Sequence, residues 1–162
     1  MGLIGAYDAR GGRSLSSVLS GLEHAACQRA CWRVGWARMI ALSDGQATPG
    51  FCDAVHDAFS PKGLLAKSRD FEFRPQQQAL AVAVAEALTG SHPLVAEAGT
   101  GVGKSLAYLL PAAKFALETG RKGVISTHTI NLQEQLVRKD IPLVRRILGE
   151  DLPAVLLKGR GN

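Results

Sequence analysis

The sequence has few cysteines, no long apolar run and no large excess of one charge. Three cysteines among 162 residues are an odd number and do not make a disulfide framework, so a reducing compartment is expected. The best candidate for a membrane span, Ala25–Leu42, contains three arginines, which excludes a transmembrane helix there. The first residues lack the basic start and the apolar core of a secretory signal. These absences predict a cytoplasmic protein with no membrane partner.

The overall composition is that of an ordinary globular protein. Hydrophobic residues make up 46% of the chain and charged residues 20%, which argues against disorder and against a fibrous protein. The net charge of +5 is a mild excess that permits a polyanionic partner without requiring one. A chain of this length forms one domain, or one domain with an appendage.

Residues 1–56 differ in pattern from the rest of the chain. They hold both tryptophans and all three cysteines, and a helix from about Ser16 to Met39 is the one element indicated there. We interpret 1–56 as a leader or extension of uncertain structure. One hypothesis is that the natural start lies near Val55–Asp57 and that the preceding residues are a misassigned leader; the alternative is a small genuine cap.

Histidine and cysteine recur at short spacing in this first region, which raises the question of a metal site. The residues concerned are His24, Cys27, Cys31 and Cys52. Such a spacing occurs in metal sites, but it also arises from incidental small residues in a weak helix, which is the interpretation we favour.

From residue 57 onward, short apolar strands alternate with helical segments after a turn at Pro61–Gly63. The expected elements are a helix from Pro75 to Gly90, a strand at Leu94–Ala96, a helix from Lys104 to about Glu118, a strand at Gly123–Thr127, a helix from about Thr129 that breaks near Pro142, and a strand at Ala154–Leu157. The side chains expected to face the core are Leu80, Val84, Ala87, Leu88, Leu106, Leu109, Leu110, Ala113, Leu132, Leu136 and Ile141. The alternation predicts an α/β fold with an incomplete parallel sheet flanked by helices.

A glycine-rich turn lies between the first expected strand and the helix that follows it. The run Ala98–Ser105 matches the P-loop pattern except that alanine replaces the first glycine. Glycines let the backbone wrap around phosphates, and the helix N-terminus adds positive potential. Lys104 would reach the β and γ phosphates, and the Ser105 hydroxyl is a hard ligand for Mg²⁺. The predicted phosphate-binding residues are Gly99, Thr100, Gly101, Val102, Gly103, Lys104 and Ser105.

An aromatic pair and two glutamines precede this loop. Phe71 and Phe73 stand just before Arg74-Pro75-Gln76-Gln77, which opens a helix. A glutamine amide can accept from adenine N6 and donate to N7 at once, and an aromatic ring can stack beside the base. The alternative is a helix start held by a hydrophobic staple. Upstream of a phosphate loop, the pattern predicts a base-reading element.

Three runs of sequence together resemble the DinG branch of the XPD-like superfamily-two helicases. They are Arg74–Gln77, Glu97–Pro111 and Ile125–Leu136, and the closing Leu157–Asn162 is similar to the same family. The likeness covers about residues 57–162. It implies the N-terminal part of a RecA-like, P-loop NTPase domain. In that family the domain couples ATP hydrolysis to movement along single-stranded DNA in the bacterial cytosol.

The resemblance also implies roles for individual residues. Gln77, with Arg74, would contact adenine. Ser126, Thr127 and Asn131 fall in the family's motif Ia, which touches the sugar–phosphate backbone of a single strand; small hydroxyl and amide side chains suit phosphate oxygens. Four basic residues are more typical of a solvated helix face than of a DNA contact. They are Arg138, Lys139, Arg145 and Arg146.

Two sets of residues that are part of the family pattern are missing from this chain. After the phosphate loop no apolar strand ends in an acidic pair, so no catalytic residue of the Walker B type is expected. The ligands of the family's 4Fe–4S cluster are also absent, and such a cluster is expected only in a longer parent protein. We therefore expect this polypeptide to bind ATP and Mg²⁺ without efficient hydrolysis. Two alternatives stay open: another P-loop ATPase or kinase, and a non-catalytic fragment that binds nucleotide or nucleic acid.

Overall fold

The computed structural model describes residues 2–6, 38–40, 47–68 and 71–158. Within these ranges the chain forms strands, α-helices, one 3₁₀ turn and one π-helical turn. In chain order they are β1 Gly2–Ala6, β2 Arg38–Ile40, α1 Phe51–Ala58, the 3₁₀ turn Leu65–Lys67, α2 Pro75–Thr89, α3 Lys104–Thr119, β3 Val124–Thr127, α4 Ile130–Gln135, the π turn Leu136–Asp140, α5 Ile141–Leu148 and β4 Ala154–Lys158.

Helices α2 and α3 begin and end close to the predicted residues. Pro75 occupies the first turn of α2, where its missing N–H leaves no hydrogen bond unmade. Helix α3 ends before Gly120, whose φ of 68° is left-handed and which terminates the helix as glycine commonly does. Pro111 lies inside α3, and the helix continues through it. Both predicted helices are confirmed.

The core lies between α2 and α3 and extends to the helices that follow. Ala81 and Ala85 of α2 and Ala107 and Leu110 of α3 are fully buried, and the small alanine side chains allow the two helix backbones to approach each other. Most residues predicted to face the core are buried in it: Val84, Ala87, Leu88, Leu109, Leu110, Ala113, Leu136 and Ile141. The others pack against it partly buried: Leu80, Leu106 and Leu132.

Helix α1 belongs to this core. The ring of Phe51 packs edge-on against Phe115 of α3, with ring centroids 5.8 Å apart and planes at 78°. Val55 is completely buried, and the carboxylate of Glu118 accepts a hydrogen bond of 2.8 Å from the hydroxyl of Thr48, just before the helix. The boundary that the sequence suggested between residues 56 and 57 therefore falls inside a helix that is packed against the rest of the domain.

The described strands form one sheet in the order β2-β3-β1-β4. Strand β1 runs antiparallel to both β3 and β4, and β2 runs antiparallel to β3. Strands β3 and β4 therefore share one direction, but β1 lies between them. The two predicted strands at Gly123–Thr127 and Ala154–Leu157 are confirmed, whereas every pairing between the described strands is antiparallel, unlike the predicted parallel sheet.

The strand predicted at Leu94–Ala96 is wrong. This segment has no strand pairing in the described part of the chain, and the side chain of Val95 is 92% exposed. An apolar tripeptide is held as a strand only when a neighbour supplies the ladder of hydrogen bonds and covers its face. The segment therefore reaches the phosphate loop as a connection without regular secondary structure.

The helix predicted from Thr129 begins as expected and then changes its winding. The Thr129 hydroxyl accepts a hydrogen bond from the amide of Leu132 at 3.3 Å. The chain continues from α4 through the π turn into α5, so the predicted break near Pro142 is instead a local π-helical stretch just before that proline. Proline has no N–H to donate to the preceding turn, which favours such an irregularity.

The helix predicted over residues 16–39 lies mostly outside the described residues. Its last two positions, Arg38 and Met39, are part of β2. In the part of the chain that the structure describes, no helix combines the length and the apolar character that crossing a membrane requires.

Candidate nucleotide-binding site

The glycine-rich loop has the backbone geometry of an anion-binding nest. Gly101 and Gly103 both adopt left-handed conformations, with φ of 82° and 80°. A Cβ atom on Gly99 or Gly101 would meet nothing within 4 Å, so at Gly101 the backbone conformation, and not a lack of space, favours glycine. Left-handed residues alternating with other conformations turn successive N–H groups toward one concave side.

Helix α3 leads directly from this loop. Gly103 is the N-cap residue, and no side chain caps the helix. The first N–H groups of an α-helix have no partner within the helix, and the aligned peptide dipoles make that end positive. An uncapped helix N-terminus behind a nest is therefore suited to phosphate oxygens.

The lysine of the motif lies across the loop that precedes it. Nζ of Lys104 donates hydrogen bonds to the carbonyl oxygens of Ala98 at 2.8 Å and Gly99 at 2.7 Å. Ser105 follows it in the first turn of α3 and is half-buried. The structure thus places the ammonium group of the predicted site at the loop and Ser105 in the first turn of the helix that follows it.

Two side chains from the start of α2 complete the site. The amide of Gln77, which is 5% exposed, donates through Nε2 to the carbonyl oxygen of Gly103 at 3.0 Å. Arg74 donates through Nη1 to the carbonyl oxygen of Gly101. The sequence predicts that these residues share a site with the loop, and the structure places them there, but their donors bind loop carbonyls.

One residue of this arrangement is absent from the sequence-based set. Glu72 accepts a hydrogen bond of 2.8 Å from Nη2 of Arg74, so its carboxylate holds the second nitrogen of the guanidinium. The signal in the sequence is an acidic residue two positions before an arginine, but that spacing is too common to identify a pair without the structure.

The three residues predicted to touch nucleic acid lie at the end of β3 and the start of α4. Asn131 is exposed and Ser126 is half-buried. Thr127 is 1% exposed, and its hydroxyl is 3.5 Å from the carbonyl oxygen of Thr129. A ligand in solution can therefore reach Asn131 and part of Ser126. The Thr127 side chain is buried and is not accessible to such a ligand.

The basic residues after α4 do not form one uniform surface. Arg138 and Arg146 are exposed, and Nη1 of Arg138 is 3.9 Å from the carboxylate of Glu134. Arg145 instead donates through Nε to the carbonyl oxygen of Leu152 at 2.8 Å. Arg145 thus ties α5 to the connection before β4, which is a structural role.

Polar groups also lie between α3 and the π turn. Burial raises the pKa of the Tyr108 hydroxyl; the neighbouring Ser105 acts in the opposite direction, and the Asp140 carboxylate adds to the rise. Burial raises the pKa of Asp140 as well, although its hydrogen bond of 3.0 Å from Gln135 acts against this. Nearby in sequence, Gln133 is completely buried, and neither polar atom of its side chain has a hydrogen-bond partner among the described residues.

The described residues do not provide a metal centre. Cys52 is free and half-buried, and its sulfur lies 3.8 Å from the hydroxyl of Thr89. No group of three or more histidine, cysteine, aspartate or glutamate side chains within residues 47–68 and 71–158 could hold an ion. His24, Cys27 and Cys31 lie outside the described residues. The one cysteine among the described residues does not provide the cysteine ligands of a 4Fe–4S cluster.

Comparison with known proteins identifies the segment that contains this site. Residues 74–149 match the family model for the DEAD/DEAH box helicases. That segment begins at the arginine that binds the loop and ends after α5. No solved structure matches the chain.

Curated relatives extend the similarity. The chain is 46% identical over 107 residues, 65% of its length, to the ATP-dependent DNA helicase YoaA of Escherichia coli, and covers 16% of that protein. It is 48% identical over 92 residues, 54% of its length, to the ATP-dependent DNA helicase DinG of Photobacterium profundum, and covers 13% of it. It is 43% identical over 98 residues, 60% of its length, to the 3'-5' exonuclease DinG of Staphylococcus epidermidis, and covers 11% of it. Residues 74–149 therefore match the DEAD/DEAH box helicases, a match that implies a P-loop NTPase fold, and 54–65% of the chain is similar to the DinG and YoaA proteins described here.

Proposed function

We propose that this chain is the ATP-binding part of a DinG-type DNA helicase. The observation that carries the proposal is the loop at Gly99–Gly103, with left-handed glycines, an uncapped helix behind it and Lys104 across it, within a segment that matches the helicase family. The chain spans 16% or less of the three relatives described above, so the activity of a whole helicase enters here as part of the proposal.

The residues of the loop fit a triphosphate with its magnesium ion. The N–H groups of the nest and of the first turn of α3 would donate to phosphate oxygens. Lys104 already makes two short hydrogen bonds to carbonyl oxygens, and phosphate oxygens with a formal charge are stronger acceptors for an ammonium group. Ser105 would offer its hydroxyl oxygen to Mg²⁺, which neutralises charge between the phosphates when it is bound.

This polypeptide is expected to bind ATP without efficient turnover. Hydrolysis by P-loop enzymes needs an acidic residue that holds Mg²⁺ and a residue that orients the attacking water. Strands β3 and β4 end in Ser126-Thr127 and Leu157-Lys158, and neither ends in an acidic pair. Steady-state phosphate release above a Lys104→Ala background would contradict this expectation.

Single-stranded DNA is the second proposed ligand. Asn131 is exposed beside the end of β3, and an amide side chain there can donate to a phosphate oxygen without reading sequence. Binding of this kind depends on salt, because phosphate contacts release counterions. The proposed substrates, ATP and DNA, are consistent with the cytosol as the place of action.

Calorimetric titration with magnesium ATP tests the nucleotide site. Lys104→Ala should weaken binding about 10- to 100-fold, the equivalent of losing one or two charge-assisted hydrogen bonds. Lys62→Ala is the matched control, because this lysine is exposed in the turn before the 3₁₀ helix and should leave affinity unchanged. If the wild-type chain and Lys104→Ala bind equally, or if neither binds, the proposed function is wrong.

A further inference from the structure

The two left-handed glycines of the phosphate loop share a feature that the motif alone does not predict. Each has its carbonyl oxygen bound by a side chain from the beginning of α2. Arg74 donates to Gly101, and Gln77 donates to Gly103 at 3.0 Å. The two donors are three residues apart, at the N-cap and in the first turn of one helix.

The Gln77 contact is close and buried. A Cβ atom on Gly103 would lie 2.3 Å from Nε2 of Gln77, so the amide packs directly against this glycine. Gln77 is 5% exposed, and the helix that carries it is anchored farther along by Ala81 and Ala85, which are completely buried. The donor is therefore supported by the core, and its position relative to the loop is set by the packing of α2 on α3.

Peptide geometry connects these carbonyl contacts to the phosphate site. Because the peptide bond is planar and trans, the carbonyl of one residue and the N–H of the next point in opposite directions. A carbonyl of Gly101 held toward Arg74 directs the N–H of Val102 the other way. A carbonyl of Gly103 held toward Gln77, which also accepts the amide of Ala107 at 3.2 Å, directs the N–H of Lys104 the other way.

We propose that Gln77 and Arg74 are positioning residues of the phosphate loop, which orient the amides of Val102 and Lys104 by holding the carbonyls of Gly101 and Gly103. Glu72 supports Arg74 from the other side at 2.8 Å. This inference rests on the proposed nucleotide site. It differs from base reading, because a residue that acts through the loop contributes equally to every ligand that carries the same phosphates.

The first experiment compares three ligands. Magnesium complexes of ATP, GTP and inorganic tripolyphosphate are titrated into wild type, Gln77→Met and Gln78→Met. Methionine keeps the volume of glutamine and removes its donor. Gln78 is a matched control, because its amide donates to a different carbonyl, that of His56, at 2.9 Å.

Gln77→Met should weaken all three ligands by about 5- to 10-fold, the effect of one hydrogen bond that preorganises the site, and Gln78→Met should leave all three unchanged. A loss confined to ATP would overturn the positioning role and support base reading. No loss with any ligand would also overturn it. Arg74→Met is the second variant, since the Arg74 side chain is 42% exposed and its removal should not prevent folding.

The second experiment needs no nucleotide. Backbone ¹⁵N relaxation of residues 101–104 should show order parameters of about 0.85 in wild type and in Gln78→Met, and clearly lower values in Gln77→Met and Arg74→Met. Equal values in wild type and variants would overturn the proposal. If the expected change is found but no phosphate ligand binds the wild-type chain, the loop contacts stand and only the proposed nucleotide function fails.

Discussion

At the scale of single residues, glycines in this chain serve two different physical needs. Gly101 has open space around it and a φ of 82°. Residues with a Cβ atom do not easily adopt this backbone conformation. Gly63 has the opposite constraint, because an added Cβ would lie 1.9 Å from the carbonyl oxygen of Asp57. The sequence predicts a turn at Gly63, and its amide indeed bonds to the carbonyl of Ser60 at 3.0 Å.

Gly63→Ala should lower the free energy of unfolding by about 2 kcal/mol or more, since backbone atoms must move to admit the methyl group. Urea denaturation followed by circular dichroism measures the change. Gly123→Ala is the control, because a Cβ there meets nothing within 4 Å and should change stability by less than about 1 kcal/mol. Equal effects of the two substitutions would mean that the turn does not pack against α1 as described.

At the scale of elements, the last turn of α3 is linked to the residues before α1. Glu118 accepts hydrogen bonds from Thr48 at 2.8 Å and from Lys114 at 2.6 Å. Burial by itself would raise the pKa of Glu118, but the Lys114 and Thr48 contacts outweigh it and the pKa lies below its ordinary value of 4.5. A group whose pKa is lowered by folding stabilises the folded state above its unfolded pKa.

Wild type should therefore be more stable than Glu118→Gln at neutral pH, by less than about 1 kcal/mol because solvent screens this pair. The difference should shrink as the pH falls from 4.5 through the folded pKa, where the carboxylate becomes protonated. Urea denaturation at a series of pH values measures it, with Glu86→Gln on an exposed position of α2 as the control. A difference that stays constant down to pH 3 would contradict the role of the charge.

The sequence correctly predicts the helix ends that are set by the backbone preferences of a single residue. Pro75 at the start of α2 and Gly120 after α3 act through their own backbone preferences, so the sequence is sufficient to place them. It failed at Leu94–Ala96, because a strand depends on a neighbour that supplies hydrogen bonds. It also missed the π turn, since Pro142 indicates an interruption of the helix and the sequence alone does not distinguish a break from a change of winding.

At the scale of the whole molecule, α1 and the domain behave as one packed unit. Phe51→Ala should lower the free energy of unfolding by about 3 to 4 kcal/mol, because the ring is 2% exposed and contacts Phe115. Asp53→Asn on the exposed side of the same helix should cost less than about 0.5 kcal/mol. Thermal and urea unfolding measure both variants. Equal and small effects would support the alternative that residues before 57 are a leader.

The sequence by itself determined the chemistry of the phosphate loop. The spacing of three glycines, a lysine and a serine predicts a nest at a helix start, because these properties belong to the residues and to their immediate neighbours. The same local reasoning predicts that Arg74 and Gln77 open a helix. Their position upstream of a phosphate loop predicts a base-reading element, and the resemblance to known helicases implies that Gln77, with Arg74, contacts adenine.

Only the tertiary structure decided the contacts between residues that are far apart in the sequence. Gln77 lies 26 positions from Gly103 in sequence, and no local pattern indicates that its amide binds that carbonyl. The inward position of Thr127 and the antiparallel pairing of the described strands are of the same kind. Each depends on which distant segments pack together, and that is set by burial of the whole core and not by the preferences of any single stretch of chain.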